Sequence, residues 1–309
     1  MSFFDYLPAY VLNRAPLIVA AFEMDFLRNL PAFRRALPTG AKFTMLLQLG
    51  WSAEVPEVAA ELQSRLAEAR EAFPEARFII LANAPGEVAV IKEFCEVCLA
   101  SHNAFLAPER YPLAKRKPRA FDALYIARIT PFKRHYLAEK IKSLHLIGSY
   151  SPQEEEYCTR TMARFQSAVW SRKVPSFFIG RKICDAACGL ALSAIEGAMF
   201  SCGEYTLCGV PVVNTRNLGG RDTLLPDFAV RYAEDTAESV AENVEFWVNN
   251  PVEPEALREG FLRLAAPQKA EVQDIVNSIA GKKVHLPHKL NIRCRLLPHT
   301  KLLHGIRRR

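Results

Sequence analysis

The amino-acid sequence predicts an α/β protein in which strands alternate with helices around parallel sheets. Short apolar runs bounded by Gly or Pro, such as residues 42–51, indicate buried strands. Segments rich in Ala, Leu, Glu and Arg, such as residues 54–73, indicate amphipathic helices. The two patterns alternate along much of the chain, which is typical of βαβ units whose sheet is covered on both faces.

The first half is predicted to open with short helical or irregular pieces. A strand over 42–51 and a helix over 54–73 follow, and a second strand begins at residue 76 and stops at Asn83. Residues 87–100 are predicted to form a helix, or a helix and a short strand. The basic, proline-containing stretch 112–122 has the composition of a domain linker.

The alternation is clearer in the second half of the chain. The predicted strands cover 122–129, 143–150, 174–180, 189–195, 209–215 and 228–232. The predicted helices cover 133–141, 152–170, a segment that contains Glu204, 237–249, 254–266 and 268–281. We therefore expect a reduced N-terminal domain over 1–115, a larger domain over 116–281 and a tail over 282–309.

Composition and length are those of a globular protein of about two domains. The chain has 309 residues, of which 50% are hydrophobic and 24% charged. The best early apolar run, residues 15–22, is far shorter than the roughly 20 residues that span a bilayer. Neither a transmembrane helix nor a signal peptide is predicted, and we expect a cytoplasmic location.

Eight cysteines are scattered through the sequence, among them Cys95-x2-Cys98 and Cys184-x3-Cys188. The two pairs have a spacing that a zinc site could use, but they lie in apolar, periodic segments. Cysteine behaves there as a small hydrophobic residue, and we favour that interpretation. No metal site is therefore expected.

The net charge of +7 is concentrated at the C-terminus. From Lys282 onward there are nine Lys or Arg residues and no Asp or Glu. Such a tail suits either an anionic membrane surface or plain solvent exposure, and the interspersed leucines favour the membrane surface. Because no aromatic residues interleave a basic patch, we set nucleic acid aside as a partner.

Two glutamates stand out in the apolar stretch that begins at Ser193. Glu196 lies just beyond the predicted strand 189–195, and in parallel sheets ligands bind beyond the carboxyl ends of strands, beside a switch point. Glu204 is eight residues later in the following helix, a little over two turns on. Both carboxylates are therefore predicted to face a ligand crevice.

The spacing of these residues resembles the donor-binding core of retaining GT-B glycosyltransferases, in particular their family 4. Glu196, seven residues, Glu204 and then Cys208-Gly-Val-Pro-Val-Val correspond to the signature of that family. Upstream, "IARITPFKRH" keeps the spacing of its arginine and lysine in Arg128 and Lys133, with Ala127 in place of glycine. The resemblance covers about 121–250 and implies two Rossmann-like domains that face each other across a cleft, the N-terminal one reduced and on the acceptor side.

The resemblance also implies roles that the chemistry of these side chains supports. Paired cations and backbone N–H groups hold a diphosphate, and a carboxylate accepts hydrogen bonds from neighbouring hydroxyls. Arg128 and Lys133 would clamp the diphosphate, while Glu196 would bind the donor sugar. The remaining donor-binding candidates are Gly197, Ala198, Glu204 (for the ribose), Gly219 and Gly220, with His102 as a weak candidate in the first domain. The chain has no Asp-x-Asp, which agrees with cations replacing a divalent metal.

The expected function is the retaining transfer of a hexosyl-type sugar from a nucleotide diphosphate to a carbohydrate or lipid-linked acceptor. No cofactor is expected. The setting implied by the family and the basic tail is polysaccharide or glycan synthesis, peripheral on the inner face of the cell membrane. Two alternatives remain open: a sugar-nucleotide epimerase or hydrolase on the same fold, and a noncatalytic homologue that acts as a binding or scaffold protein.

Overall fold

The computed structural model describes residues 6–37, 40–115, 118–165, 167–286 and 296–298, which form two compact units. Unit 1 contains the described residues up to Leu106 together with those from Ala266 onward, and unit 2 is Ala107–Ala265. These boundaries differ from the predicted ones at 115 and 281. The chain returns to unit 1 within its longest helix, so the C-terminal part of that helix and the described part of the tail belong to unit 1.

Unit 1 is built on a five-stranded sheet of order β2-β3-β4-β5-β6. Strand β2 is antiparallel to β3, and β3 to β6 are parallel to one another. The elements are β1 (Tyr6–Pro8), β2 (Tyr10–Arg14), β3 (Leu17–Phe22), α1 (Glu23–Arg28), α2 (Leu30–Ala36), β4 (Phe43–Gln48), α3 (Pro56–Ala72), β5 (Arg77–Ala82), α4 (Pro85–Ile91) and β6 (Glu96–Leu99).

The central strands of unit 1 are buried over their whole length. Every residue of β3 and β4 is buried, which is why both strands are mostly apolar and do not alternate between apolar and polar residues. The predicted strands at 42–51 and from 76 to Asn83 are confirmed, as is the helix over 54–73. The prediction of short helical or irregular pieces at the start was wrong for β1, β2 and β3, the last of which lies in the apolar run 15–22. Two short helices, α1 and α2, follow them as predicted.

Unit 2 is built on a six-stranded parallel sheet of order β12-β11-β10-β7-β8-β9. Its elements are β7 (Phe121–Ile126), β8 (Leu144–Ile147), α5 (Glu155–Met162), β9 (Val169–Ser171), α6 (Ser176–Ile183), β10 (Ala186–Ala191), α7 (Phe200–Leu207), β11 (Val212–Thr215), β12 (Val230–Ala233) and α8 (Ala237–Asn249). After β7, the chain adds β8 and β9 on one side of the sheet; it then returns to β10, next to β7, and adds β11 and β12 on the other side. The pair β7 and β10 is therefore the switch point of a doubly wound sheet.

The helix that carries Glu204 is packed closely on the sheet. Helix α7 lies against β10 and β11, and its Tyr205 covers Gly189 of β10. A Cβ atom at position 189 would lie 2.2 Å from Cδ2 of Tyr205, so only glycine leaves room for the ring. Helix α8, which was predicted with its observed bounds, packs on β7, β10, β11 and β12.

Three segments of unit 2 differ from the prediction. The helix predicted over 133–141 does not form: two short 3₁₀ turns, Pro131–Lys133 and His135–Ala138, are separated by Arg134, whose backbone is left-handed with a φ of 49°. Most of the segment 174–180, predicted as a strand, belongs to helix α6, which begins at Ser176 and in which Gly180 and Ile183 are buried at helical spacing. The helix predicted over 152–170 ends at Met162, and the edge strand β9 follows.

The two predicted closing helices are one helix, α9 (Pro254–Ala280), with Pro267 inside it. Proline removes one helical hydrogen bond, but the buried stripe continues across it at spacings of three and four. The buried positions of that stripe are Leu257, Phe261, Ala265, Gln268, Val272 and Val276.

The predicted linker and tail are partly described. In the stretch 112–122, the Ala114 amide donates to the carbonyl of Cys208 at 2.8 Å and the Arg119 guanidinium to that of Cys184 at 2.7 Å, so this stretch is anchored on unit 2. In the tail, Lys282 and Lys283 are exposed. Its other basic residues lie outside the described residues: Lys289, Arg293, Arg295, Lys301, Arg307, Arg308 and Arg309.

A short part of the tail pairs with the start of the chain. Strand β13 (Leu296–Pro298) is antiparallel to β1, with Leu297 opposite Leu7. Within the described ranges, none of the helices has the length and apolar character needed to cross a bilayer.

Candidate functional site

A buried ion pair lies at the switch point of unit 2. Lys133, in the segment after β7, contacts Oε1 of Glu196, in the segment after β10, through its Nζ. The side chains are only 8% and 15% exposed, respectively. Because carboxyl ends of neighbouring parallel strands meet at one edge of a sheet, two residues 63 positions apart in the sequence become partners.

Glu196 is held in place by its own loop. The Ser193 hydroxyl donates to Oε2 of Glu196 at 2.5 Å, which leaves Oε1 directed at Lys133. The Glu196 amide donates to the carbonyl of Leu218 at 3.1 Å, and the Leu218 amide donates to that of Ala194 at 2.9 Å. This small ladder brings the Gly219-Gly220 segment beside the carboxylate.

Lys133 is held through its backbone, and burial disfavours its charged form. Tyr125, fully buried in β7, donates its hydroxyl to the Lys133 carbonyl at 2.6 Å. Burial lowers the pKa of the Lys133 ammonium, and the Glu196 carboxylate opposes that shift. An anionic partner therefore stabilises the charged form of this lysine.

Two arginines that the sequence analysis did not select join the carboxyl ends of β10 and β11. Arg134 donates to the carbonyl of Leu192 at 2.5 Å, to Oγ1 of Thr215 at 2.8 Å and to Asp235 at 2.7 Å. Arg221, fully buried, donates to the carbonyls of Ser193 and Thr215, each at 2.6 Å.

The positions of these arginines gave the only sequence signal for their role. Arg134 directly follows Lys133, and Arg221 directly follows the Gly219-Gly220 pair. Both are adjacent to selected residues, but nothing in the sequence says that their donors are directed at backbone carbonyls. They fix the shape of the edge on which Glu196 stands.

Arg128 has a different environment from Lys133. Its side chain is 63% exposed and pairs with Glu154 at 3.2 Å. Hydrogen bonds from Ser151 at the start of the following turn, aided by Arg128, lower the pKa of Glu154 to about 2. The two predicted clamp residues thus start from different states, one exposed and one buried in a pair with Glu196.

The other predicted donor-binding residues lie between β10 and β12. Gly197 and Ala198 are buried in the turn that precedes α7, and Gly220 is buried after Gly219, whose φ is 120°. Glu204, half-buried in α7, accepts a hydrogen bond from the Tyr111 hydroxyl at 3.1 Å, and burial raises its pKa. The contact that the structure gives Glu204 is thus with Tyr111, separate from the Lys133–Glu196 pair.

His102 lies in unit 1, at the carboxyl ends of β4 and β5. Its amide donates to Oδ1 of Asn83 at 3.1 Å, and its Nδ1 lies 3.3 Å from the carbonyl of Leu49. The ring is buried and packs edge-on against Phe22 at 5.6 Å. These contacts tie neighbouring strand ends together.

The cysteines are mostly packing residues. Cys95 and Cys98 are buried in unit 1, and burial raises the pKa of both thiols. In the described parts of the chain, no group of three or more His, Cys, Asp or Glu side chains is arranged to hold a metal ion.

Comparison with known proteins finds similar structures but no similar sequence. No family model matches the sequence, and neither does any curated protein. Sucrose-phosphate synthase from Thermosynechococcus elongatus superposes with a TM-score of 0.62 at 12% identity, over 85% of this chain and 74% of that one. HepE from Anabaena, in complex with UDP and glucose, gives 0.61 at 13% identity, over 85% and 77%.

TarM gives a TM-score of 0.59 at 12% identity, over 84% of this chain. The present chain spans only 53% of the length of TarM. These structures are GT-B glycosyltransferases, and at such low identity the likeness concerns the fold. The chain therefore has the α/β fold of GT-B glycosyltransferases, with the Lys133–Glu196 pair at the switch point of its second unit.

Proposed function

We propose that the protein is a glycosyltransferase that uses a nucleotide diphosphate sugar as donor. The observation that carries this proposal is the Lys133–Glu196 pair at the carboxyl edge of β7 and β10. A doubly wound sheet binds ligands at that place, and the two side chains offer a cation for phosphate and a carboxylate for hydroxyls. The GT-B fold is consistent with such a donor.

The diphosphate would be bound by cations rather than by a required metal ion. Lys133 is buried and needs an anionic partner, while Arg128 is exposed and can turn toward a ligand. As the bond to the sugar breaks, negative charge grows on the leaving diphosphate, and fixed cations stabilise it. Backbone N–H groups at Gly197 and Ala198, ahead of α7, add donors for the same anion.

The sugar and the ribose would be bound by the two glutamates. Glu196, oriented by Ser193, accepts hydrogen bonds from hydroxyls of the donor sugar. Glu204 accepts those of the ribose, in place of or beside the Tyr111 hydroxyl. The loop at Gly219 and Gly220, held beside Glu196 by the Leu218 ladder, allows close approach of the sugar.

The first experiment is a binding assay on the full chain with UDP-glucose and UDP, chosen because HepE structures contain them. A ligand at 100 times its dissociation constant should stabilise the protein by about 2.7 kcal/mol. Lys133→Ala should abolish that stabilisation. Lys142→Ala is the matched control, since Lys142 is 87% exposed and pairs with Glu245 at 3.9 Å. The proposal fails if no nucleotide sugar in a panel of bases and sugars stabilises the protein.

The second experiment tests the reaction itself. Incubation with the bound donor and a carbohydrate or lipid-linked acceptor should release the nucleoside diphosphate, and NMR of the product should show the anomeric configuration of the donor. Chelators should leave turnover unchanged. Inversion of configuration would contradict the retaining, hexosyl-type assignment, and release without an acceptor would favour a hydrolase.

We further propose that the basic tail places the enzyme at an anionic membrane surface, in the synthesis of a surface polysaccharide or glycan. Each Lys or Arg near such a surface contributes about 1 kcal/mol. Truncation after Gly281 would also remove β13, so neutralisation of Arg307, Arg308 and Arg309 to Gln is the cleaner change. Vesicles containing phosphatidylserine should bind the native chain at low salt and this variant less; equal binding by both would refute the membrane role.

A further inference from the structure

A cavity of about 230 Å³ lies within unit 1. It lies beyond the carboxyl ends of β3 and β4, where a parallel sheet offers its ligand edge. Helices α1 and α3 form its walls. The lining includes Glu23, Leu27, Leu49, Trp51, Val58 and Leu62.

The cavity is apolar at its base and polar at its mouth. Leu27, Leu49 and Leu62 are buried at the base. At the mouth, Glu61 and Arg65 pair with each other at 2.6 Å, and Trp51 is 38% exposed. Glu61 and Arg65 therefore satisfy each other, the exposed Arg28 is a further charge of the rim, and the base offers mainly apolar contact.

One polar side chain is buried with these leucines. Glu23 is 7% exposed, and its Oε2 accepts a hydrogen bond from the Gly50 amide at 2.9 Å. Burial, opposed by backbone hydrogen bonds and aided by Asp25, raises the pKa of Glu23 to about 8. Near neutral pH the carboxyl group is thus mostly protonated and has a proton to donate.

The size of the cavity limits what it can hold. An apolar cavity of about 150 Å³ is enough to take up benzene. A volume of about 230 Å³ therefore admits one six-membered ring with a substituent or two, and not a nucleotide.

The lining also selects the kind of ring. A pyranose carries several hydroxyl groups, and burying each without a partner is costly. An aromatic ring with one hydroxyl needs a single partner at the base, and an indole ring is a suitable surface for it to stack on.

We propose that this cavity is a binding site for a small phenol-like compound, whose ring contacts Trp51 and Leu62 and whose hydroxyl hydrogen-bonds to Glu23. The site lies on unit 1, and the proposal does not rest on the function proposed for unit 2. Binding at this site requires no transfer reaction.

The test uses the full chain and 4-fluorophenol, observed by fluorine NMR line broadening near neutral pH. Broadening should saturate at one site per chain. Fluorobenzene, which lacks the hydroxyl, should bind about tenfold more weakly, as expected for one lost hydrogen bond. Excess methyl glucoside should not displace the phenol.

Three variants locate the site. Trp51→Ala should abolish saturable broadening, and Val58→Phe should do so by filling the cavity from a half-exposed position. Trp170→Phe is the matched control, since Trp170 is a half-buried indole of unit 2 and its loss should change nothing. Circular dichroism checks that each variant folds.

The proposal is overturned by the absence of saturable binding in the native chain. It is also overturned if binding survives in both Trp51→Ala and Val58→Phe, or if methyl glucoside competes with the phenol.

Discussion

Replacing Lys133 by methionine removes one partner of a buried ion pair and leaves the other behind. Loss of one member of a fully buried pair costs about 3–5 kcal/mol. Here Glu196 keeps 15% of its side chain exposed and the hydrogen bond from Ser193, so we expect a smaller loss, about 1–3 kcal/mol. Arg128→Met breaks a pair whose arginine is 63% exposed, and should cost at most about 1 kcal/mol.

The assay is urea denaturation near pH 7. It compares the native chain, the single variants Lys133→Met, Arg128→Met and Glu196→Gln, and the double variant Lys133→Met with Glu196→Gln. The double variant has no unpaired charge at the switch point. It should therefore be more stable than Lys133→Met alone, so that the two changes are strongly non-additive. Arg128→Met combined with Glu196→Gln serves as the control pair and should be additive, since Arg128 contacts Glu154 instead.

Two results would refute this reasoning. Equal stability losses for Lys133→Met and Arg128→Met would mean that burial does not distinguish the two cations. Additive losses in the double variant would mean that Lys133 and Glu196 do not stabilise each other in solution, and the proposed site would lose its central contact.

Four further outcomes are expected. Glu204→Ala should weaken UDP and UDP-glucose equally, by about 1.5–3 kcal/mol in calorimetry, because the ribose is common to both. Burial raises the pKa of Glu23 from 4.5 to about 8, so its neutral form stabilises the fold below pH 4.5 and that stability is lost as pH rises toward 8. Glu23→Gln should remove this fall in the free energy of unfolding. Burial, and then the charge of Lys133, lower the pKa of His135 from 6.5 to about 3. The stability that its neutral form contributes is therefore present above pH 6.5 and is lost as the pH falls toward 3. His135→Leu should remove this acid-side fall in the free energy of unfolding. Gly189→Ala places a methyl group 2.2 Å from the ring of Tyr205 and should cost about 1–3 kcal/mol in urea denaturation, whereas an unchanged midpoint would show that α7 shifts freely.

The sequence was most informative where one physical effect dominated. Strands β3 and β4 are buried on both faces, so they are mostly apolar and show no alternation, although only the second was predicted as a strand. Helix α8 combines an amphipathic pattern with a capping threonine, Thr236, and its bounds were predicted correctly. The strand predicted over 174–180 was wrong because a short apolar run has no distinctive period. The packing of Gly180 on Pro112 is visible only in the structure.

Lys133 and Glu196 were selected from the sequence as candidate site residues, but their contact with each other was not predicted. Glu196 and Lys133 were selected for separate tasks, and their pairing depends on the order in which β7 and β10 enter the sheet. The supporting arginine Arg221 could not be assigned, because its two partners are backbone carbonyls of Ser193 and Thr215. Such partners leave no mark in the identity of any side chain.

That pairing affects which ligand the site would favour. An anion that takes Lys133 away from Glu196 leaves a half-buried carboxylate with only the Ser193 hydroxyl, and an unpaired buried charge is costly. A bare phosphate or diphosphate satisfies the lysine alone. A sugar diphosphate offers anionic oxygens to Lys133 and hydroxyl donors to Glu196 in one molecule, so both groups exchange one partner for another. The ion pair therefore disfavours free phosphates more than it disfavours an intact sugar nucleotide, and Glu196→Gln should narrow the difference in affinity between UDP and UDP-glucose.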